Sequence, residues 1–148
     1  MKTYYADESV TLWLGDALTV LRQLPDASVD CCVTSPPYFG LRDYGVAGQI
    51  GLEPSPGEFV ARLVDVFREV RRVLRRDGTC WVNLGDSYNA GTSVPRRPSS
   101  NHGGGGYGKH GYWTNEHITH RVHDAALKPK DLMGLPWAVA FALRADGW

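Results

Sequence analysis

The sequence predicts an α/β fold, in which helices are layered on a mainly parallel sheet, and three observations carry that prediction. Strand-like and helix-like segments alternate in the order strand, helix, strand, helix, strand. One of the strands, "VDCCV", is continuously apolar, as strands buried on both faces of a parallel sheet are. A long amphipathic helix separates it from the next strand, which implies a right-handed crossover.

The first strand is "SVTLWLGDA", with Val10, Leu12 and Leu14 at alternate positions and an end at Gly15-Asp16. Asp16 is placed to cap a short helix, "ALTVLRQL", that stops at Pro25. "VDCCV" follows. After a loop rich in Gly and Pro, "SPGEFVARLVDVFREVRRVLRRDG" shows Phe59, Leu63, Val66, Phe67, Val70, Val73 and Leu74 at helical spacing, with Gly78 after a basic last turn. The third strand is "TCWVNLGDSY", with Cys80, Val82 and Leu84 on one face. From about Ala90 to Ala126 the pattern dissolves into a Gly-, Ser- and His-rich segment, which predicts a long mobile loop inside a single domain spanning residues 1–148. "KPKDLMGLPWAVAFALRADGW" predicts a helix from about Asp131 to Arg144, with Pro136 near its first turn and Gly147 just past its end.

Composition excludes several classes of function. With 43% hydrophobic and 22% charged residues, the chain is an ordinary globular protein, neither fibrous nor disordered. Its formal charge is zero but unevenly spread: residues 1–60 hold eight acids and three bases, residues 61–148 thirteen bases and eight acids. That tilts the second half toward a polyanion. The first ten residues lack the apolar core of a secretory signal, and no window approaches the roughly 18 apolar residues of a membrane span, so a cytoplasmic protein is expected. Cys31, Cys32 and Cys80 lie in apolar runs without paired ligand spacing, and are expected to be buried free thiols. The glycines at 103–106 open no helix and carry no Lys-Ser or Lys-Thr, so they do not read as a phosphate-cradling loop. His117, His120 and His123 recur at a spacing that rotates them round a helix, with no acidic or Cys partner beside them. Solvated loop histidines are expected there, and no metal site.

The chemistry concentrates in "CCVTSPPYFGLRDYG". A polar, proline-locked turn at the C-terminal end of a parallel strand is where open α/β sheets place ligands. Pro36 and Pro37 have no N–H to donate, and their rigid φ leaves nearby carbonyls as preset acceptors. Ser35 adds a hydroxyl and Tyr38 a flat ring for stacking. Acceptors beside a ring suit a planar base that carries an amino group, although on the dipeptide alone a plain Pro-Pro turn is the alternative.

This run resembles the catalytic motif of the amino-methylating DNA methyltransferases, which is Asp, Asn or Ser, then Pro-Pro, then an aromatic residue. "VTSPPY" is similar to the cytosine-N4 branch, whereas adenine-N6 members more often carry Asp at the position of Ser35. "LWLGDALTVLRQLPDASVDCCVTSPPYFGLRDYG", "FREVRRVLRRDGTCWVNLGDSY" and "KPKDLMGLPWAVAFALRADGW" resemble three successive blocks of that family, in order. The resemblance implies a partial Rossmann-like methyltransferase sheet, with three recognisable strands and flanking helices. It also implies methyl transfer from S-adenosylmethionine to the exocyclic amine of a base flipped from double-stranded DNA. Ser35, Pro36, Pro37 and Tyr38 would be catalytic. Asp16 and Thr34 would face the cofactor, although Asp16 also reads as a plain helix cap. Asp86 would line the pocket or tie down its loop, and Arg42, Arg96, Arg97 and Lys109 are candidates for DNA phosphates.

The resemblance covers the N-terminal half of the family's catalytic-motif-first arrangement. Its Gly-rich cofactor turn, with the strand that bears it, falls between the strands of Val10–Leu14 and Val29–Val33 in the family, and this sequence has no such segment. A gap between those two strands, or their forced pairing, is therefore expected, together with exposed apolar edges and an incomplete S-adenosylmethionine pocket. A truncated reading frame is expected ahead of a naturally split enzyme, and in either case a complementary C-terminal methyltransferase half is the expected partner. A non-catalytic DNA-binding or interaction remnant, and an adenine-N6 enzyme, stand as alternatives.

Overall fold

The computed structural model describes residues 2–90 and 124–148. Strands β1 (Lys2–Ala6) and β2 (Thr11–Leu14) form an antiparallel hairpin. Its turn is held by Asp7, whose carboxylate accepts hydrogen bonds from the Ser9 and Val10 amides at 2.8 and 2.7 Å and from the Tyr5 hydroxyl at 2.7 Å. β1 went unread in the sequence because "KTYYA" is short, exposed along its length and without apolar alternation. Helix α1 (Ala17–Leu21) follows, capped as expected by Asp16, and leads to β3 (Val29–Thr34).

Helix α2 (Pro56–Val73) is the central element. Ser55 caps it by accepting from the Glu58 amide, Pro56 sits in its first turn, and Phe59, Leu63, Val64, Phe67, Val70 and Val73 are buried along one stripe. The helix ends at Val73, five residues before the glycine expected to close it, because Leu74 is already extended at φ −69° and ψ 141° and begins β4 (Leu74–Val82). β3 and β4 pair in parallel, but Val29 faces Leu74 and Cys31 faces Thr79, so two steps on β3 are matched by five on β4. Gly78 serves that irregularity: a Cβ there would lie 3.0 Å from the carbonyl oxygens of Asp30 and Arg75.

Helix α3 (Leu135–Ala145) starts four residues later than the sequence suggests. Left-handed Lys130 and Gly134, at φ 69° and 71°, together with a bridge between Tyr88 and Leu132, keep the chain out of a helix until Leu135. Arg68 grips Asp146 at 2.7 Å and Arg71 donates to the Asp146 carbonyl at 2.7 Å, fastening the end of α3 to α2. Arg72 donates to the Leu21 and Leu24 carbonyls at 2.8 and 3.0 Å, so it ties down the end of α1 as well.

Phe39, Phe59, Leu63, Phe67, Val70, Leu74, Leu135 and Val139 form the core, with Cys32 and Cys80 packed against it. The expectation that β3 is buried on both faces is corrected here. The helices cover the Cys32 side, while Cys31 is exposed and Val33 and Trp81, paired across the sheet, are 79% and 65% exposed. Burial and the neighbouring Cys32 push the Cys80 thiol up to about 12, whereas Cys31 is not the buried thiol that its apolar run suggested. A single three-stranded sheet is likewise not formed: β1–β2 and β3–β4 are separate two-stranded sheets, and the expected gap lies between β2 and β3. Among the described residues no helix is long and apolar enough to cross a membrane.

Candidate active site

Ser35 stands directly after β3, where the parallel ladder ends with the Asn83 amide donating to the Thr34 carbonyl at 2.9 Å. The prolines turn the chain, and Tyr38 folds back so that its hydroxyl lies 3.5 Å from Ser35 Oγ. Phe39 anchors the turn: it is buried, its ring meets Phe59 with centroids 5.3 Å apart, and its carbonyl accepts from the Ser87 hydroxyl at 2.8 Å. Ser35 is left exposed at the rim, with Pro36, Pro37 and Tyr38 half-buried behind it.

The Tyr38 ring rests on bare backbone. A Cβ on Gly85 would come within 2.8 Å of the ring, so only glycine fits beneath it. The sequence drew attention to Asp86 in "NLGDSY" and passed over the glycine before it. Asp86 itself is turned away from the rim. Its carboxylate accepts from the Gly134 and Leu135 amides, both at 3.0 Å, and from the Ser87 amide at 2.8 Å. It thereby satisfies the first free donors of α3, which has no cap of its own, and is the loop tie rather than a pocket wall.

Between the two sheets lies a cleft of about 520 Å³, lined by Trp13, Val20, Cys32, Thr34, Ser35 and Phe67 among others. Thr34 and Ser35 therefore open onto the same space as the end of β2. Asp16, at the end of β2, accepts from the Thr19 amide at 2.9 Å and the Thr19 hydroxyl at 3.0 Å. Those two bonds hold its carboxyl below the usual carboxylate value. Arg42 is carried by the loop that follows Tyr38, and its carbonyl accepts from the Gln49 side chain at 2.8 Å. Arg96, Arg97, Lys109 and the histidines at 117, 120 and 123 lie outside the described residues. Among the described residues no cluster of His, Cys, Asp and Glu has the makings of a metal site.

Among the described residues Asn89 is a buried polar residue without a sequence signal, at 2% exposure. Its Nδ2 donates to the Asp124 and Leu127 carbonyls at 3.0 and 2.7 Å, and its Oδ1 accepts from the Asp124 amide at 2.8 Å. With the Met133 amide bonded to the Ser87 carbonyl at 2.9 Å, this fixes residues 124–133 beside the segment that carries Gly85 and Asp86. An asparagine in an irregular segment has no local signature of such a role.

Comparison with known proteins identifies the family. A family model described as "DNA methylase", for amino-N6 and amino-N4 methylation, matches residues 29–134. The chain is 51% identical over 144 residues to Type II methyltransferase M.XycI of Xanthomonas campestris pv. cyanopsidis, covering 93% of this chain and 43% of that protein. It is 50% identical over 138 residues to M.Cfr9I of Citrobacter freundii, again 93% of this chain and 43% of the relative. With M.SmaI of Serratia marcescens the identity is 44% over 141 residues, covering 95% and 44%. The chain thus spans less than half the length of these curated relatives, and no solved structure matches it. The Ser-Pro-Pro-Tyr turn at the end of β3 lies inside the matched region, and the chain belongs to the N6/N4 DNA methylase family.

Proposed function

We propose that this chain supplies the base-binding and catalytic half of a methyltransferase acting on the exocyclic amino group of a base in double-stranded DNA, with cytosine N4 as the target. The observation that carries the reading is the rim itself: at the end of a parallel strand an exposed Ser35 lies with its hydroxyl 3.5 Å from that of Tyr38, and Ser35, Pro36 and Pro37 line the cleft. An exocyclic amine is a poor nucleophile because its lone pair is delocalised into the base. Ser35 Oγ and the Pro36 carbonyl accept hydrogen bonds from that amine, which draws the lone pair back onto nitrogen. Pro36 and Pro37 present no N–H to compete for it. Tyr38 holds the extruded base by stacking, a contact worth roughly 1–3 kcal/mol. Ser35 in place of an acid favours cytosine over adenine.

S-adenosylmethionine, as the methyl donor, supplies an electrophilic sulfonium methyl when bound. The cleft's size and largely apolar lining suit the adenosine portion of such a molecule, with Trp13, Gly15 and Thr34 as lining residues that would hold it and Asp16 beside Gly15 as a further candidate. The chain spans 43% of its relatives, so a complementary C-terminal half is proposed to close the rest of the site.

The test joins residues 1–148 to the C-terminal part of a curated relative and follows methyl incorporation into DNA, with the modified nucleoside identified by mass spectrometry. N4-methylcytosine is expected, abolished by Ser35→Ala and strongly reduced by Tyr38→Ala. N6-methyladenine would instead assign the adenine branch. Incorporation indifferent to both substitutions would sink the catalytic role of the turn, whereas no incorporation by the parent, with DNA still bound, would favour a remnant that binds DNA without turnover.

A further inference from the structure

The chain leaving Tyr38 does not run straight to α2. The Gly40 amide donates to the Gly51 carbonyl at 2.7 Å, which closes residues 41–50 into a loop rooted on the Ser-Pro-Pro-Tyr turn. The root is tight, because Gly51 has φ +104° and a Cβ there would lie 3.0 Å from the Tyr38 carbonyl oxygen. Within the loop, side chains brace the backbone. Gln49 accepts from the Tyr44 amide at 2.6 Å and donates to the Arg42 carbonyl at 2.8 Å. Asp43 accepts from the Gly45 amide at 2.7 Å, Glu53 from the Gly51 amide at 2.8 Å, and Arg62 of α2 reaches the Gly48 carbonyl at 3.1 Å. Beside the exposed Arg42 and Asp43, three large apolar side chains also face water: Leu41, Tyr44 and Val46 are 43%, 57% and 64% exposed.

A braced loop that presents an aromatic and a branched aliphatic side chain is built to enter apolar surroundings. Its root on the catalytic turn says which surroundings are near. A base extruded from a duplex leaves a gap whose neighbours have lost a stacking partner, and proteins that open base steps do so with aromatic and aliphatic wedges. We propose that the loop of residues 41–49 intrudes into the DNA duplex, with Tyr44 filling the space vacated by the flipped base and Val46 wedged against the adjoining step. Gln49 is the positioning residue that holds Tyr44 in place. The inference rests on the base-methylation reading of Ser35 and Tyr38.

The completed chain described above provides the test, once its methylation site in DNA has been mapped by sequencing. Two duplexes are compared: one fully matched, and one in which the target base faces an abasic residue and needs little energy to leave the stack. Tyr44→Ala and Tyr44→Ala/Val46→Ala are expected to slow methylation of the matched duplex by about tenfold or more, the order of one lost base–aromatic contact. On the unpaired target both variants are expected to stay within about twofold of the parent, since extrusion is then nearly free. Gln49→Ala is expected to show the same split more weakly. Equal slowing on both duplexes, or none on either, would overturn the wedge while leaving the base-methylation reading intact. So would loss of soluble, full-length variant protein, which would make the loop a contact with the C-terminal part. Absence of any methylated base with the parent protein would overturn the underlying reading and the wedge with it.

Discussion

Tyr38 owes its position to a residue that has no side chain. The ring closes over Gly85, and a single added methyl group would meet it at 2.8 Å. Because the contact is with ring atoms wedged between the turn and the β4 loop, the ring must move if Gly85 gains a Cβ. Gly85→Ala in the completed chain is therefore expected to cut the methylation rate by on the order of 100-fold, as small misplacements of reacting groups do. The thermal midpoint should change little. A rate within twofold of the parent would show that the ring has room to shift without consequence. Asp86, one residue on, illustrates the opposite case. The sequence allowed its carboxylate either to line the pocket or to tie down its loop, and the amides of Gly134, Leu135 and Ser87 occupy it.

At the scale of elements, α1 and α2 were legible because their signals are local. A cap hydrogen bond spans three residues and an apolar stripe repeats every turn, so both can be read without knowing what lies across the molecule. The Asp16 cap is testable through pH. Its carboxyl is held below 3.8 by the Thr19 amide and hydroxyl. The stabilisation is thus fully present above pH 3.8 and is lost as pH falls through the lower, folded-state value. Asp16→Ala is expected to cost about 1 kcal/mol near neutrality, and less in acid, in denaturant titrations of the purified chain. A cost that does not shrink on acidification would assign the effect to something other than the charged cap. The ends of α2 and α3 were misread for a shared reason. Gly78 and Asp131 carry helix-boundary signals, but pairing of β4 with β3 and of Tyr88 with Leu132 captures the backbone first.

On the scale of the whole molecule, the two sheets leave between them a cleft with one wall from β2 and α1 and another from β3 and α2. Its mouth is broad, and on the far side of the β3–β4 pair Val33 and Trp81 stand bare. Parallel sheets are ordinarily covered on both faces, whereas this pair is covered by helices on one. S-adenosylmethionine is accordingly expected to bind the 148-residue chain weakly or not at all in calorimetric titration, and to bind once a C-terminal part is joined to it. Micromolar affinity for the chain alone would show that the cleft between β2 and β3 is already a sufficient pocket.

The sequence by itself determined the Ser-Pro-Pro-Tyr turn, the cap at Asp16 and the buried stripe of α2, since proline geometry, a cap bond and helical periodicity all act within a few residues. The family resemblance left open either a gap between the strands of Leu14 and Val29 or their pairing, and the structure shows them in separate sheets. Only the tertiary structure decided what supports the turn. Gly85 under Tyr38, Phe39 against Phe59, Asp86 at the start of α3 and Asn89 among the carbonyls of residues 124–127 join positions far apart in the chain. It also decided which face of β3 is covered, since burial depends on where α2 and α3 settle and not on how apolar the strand is.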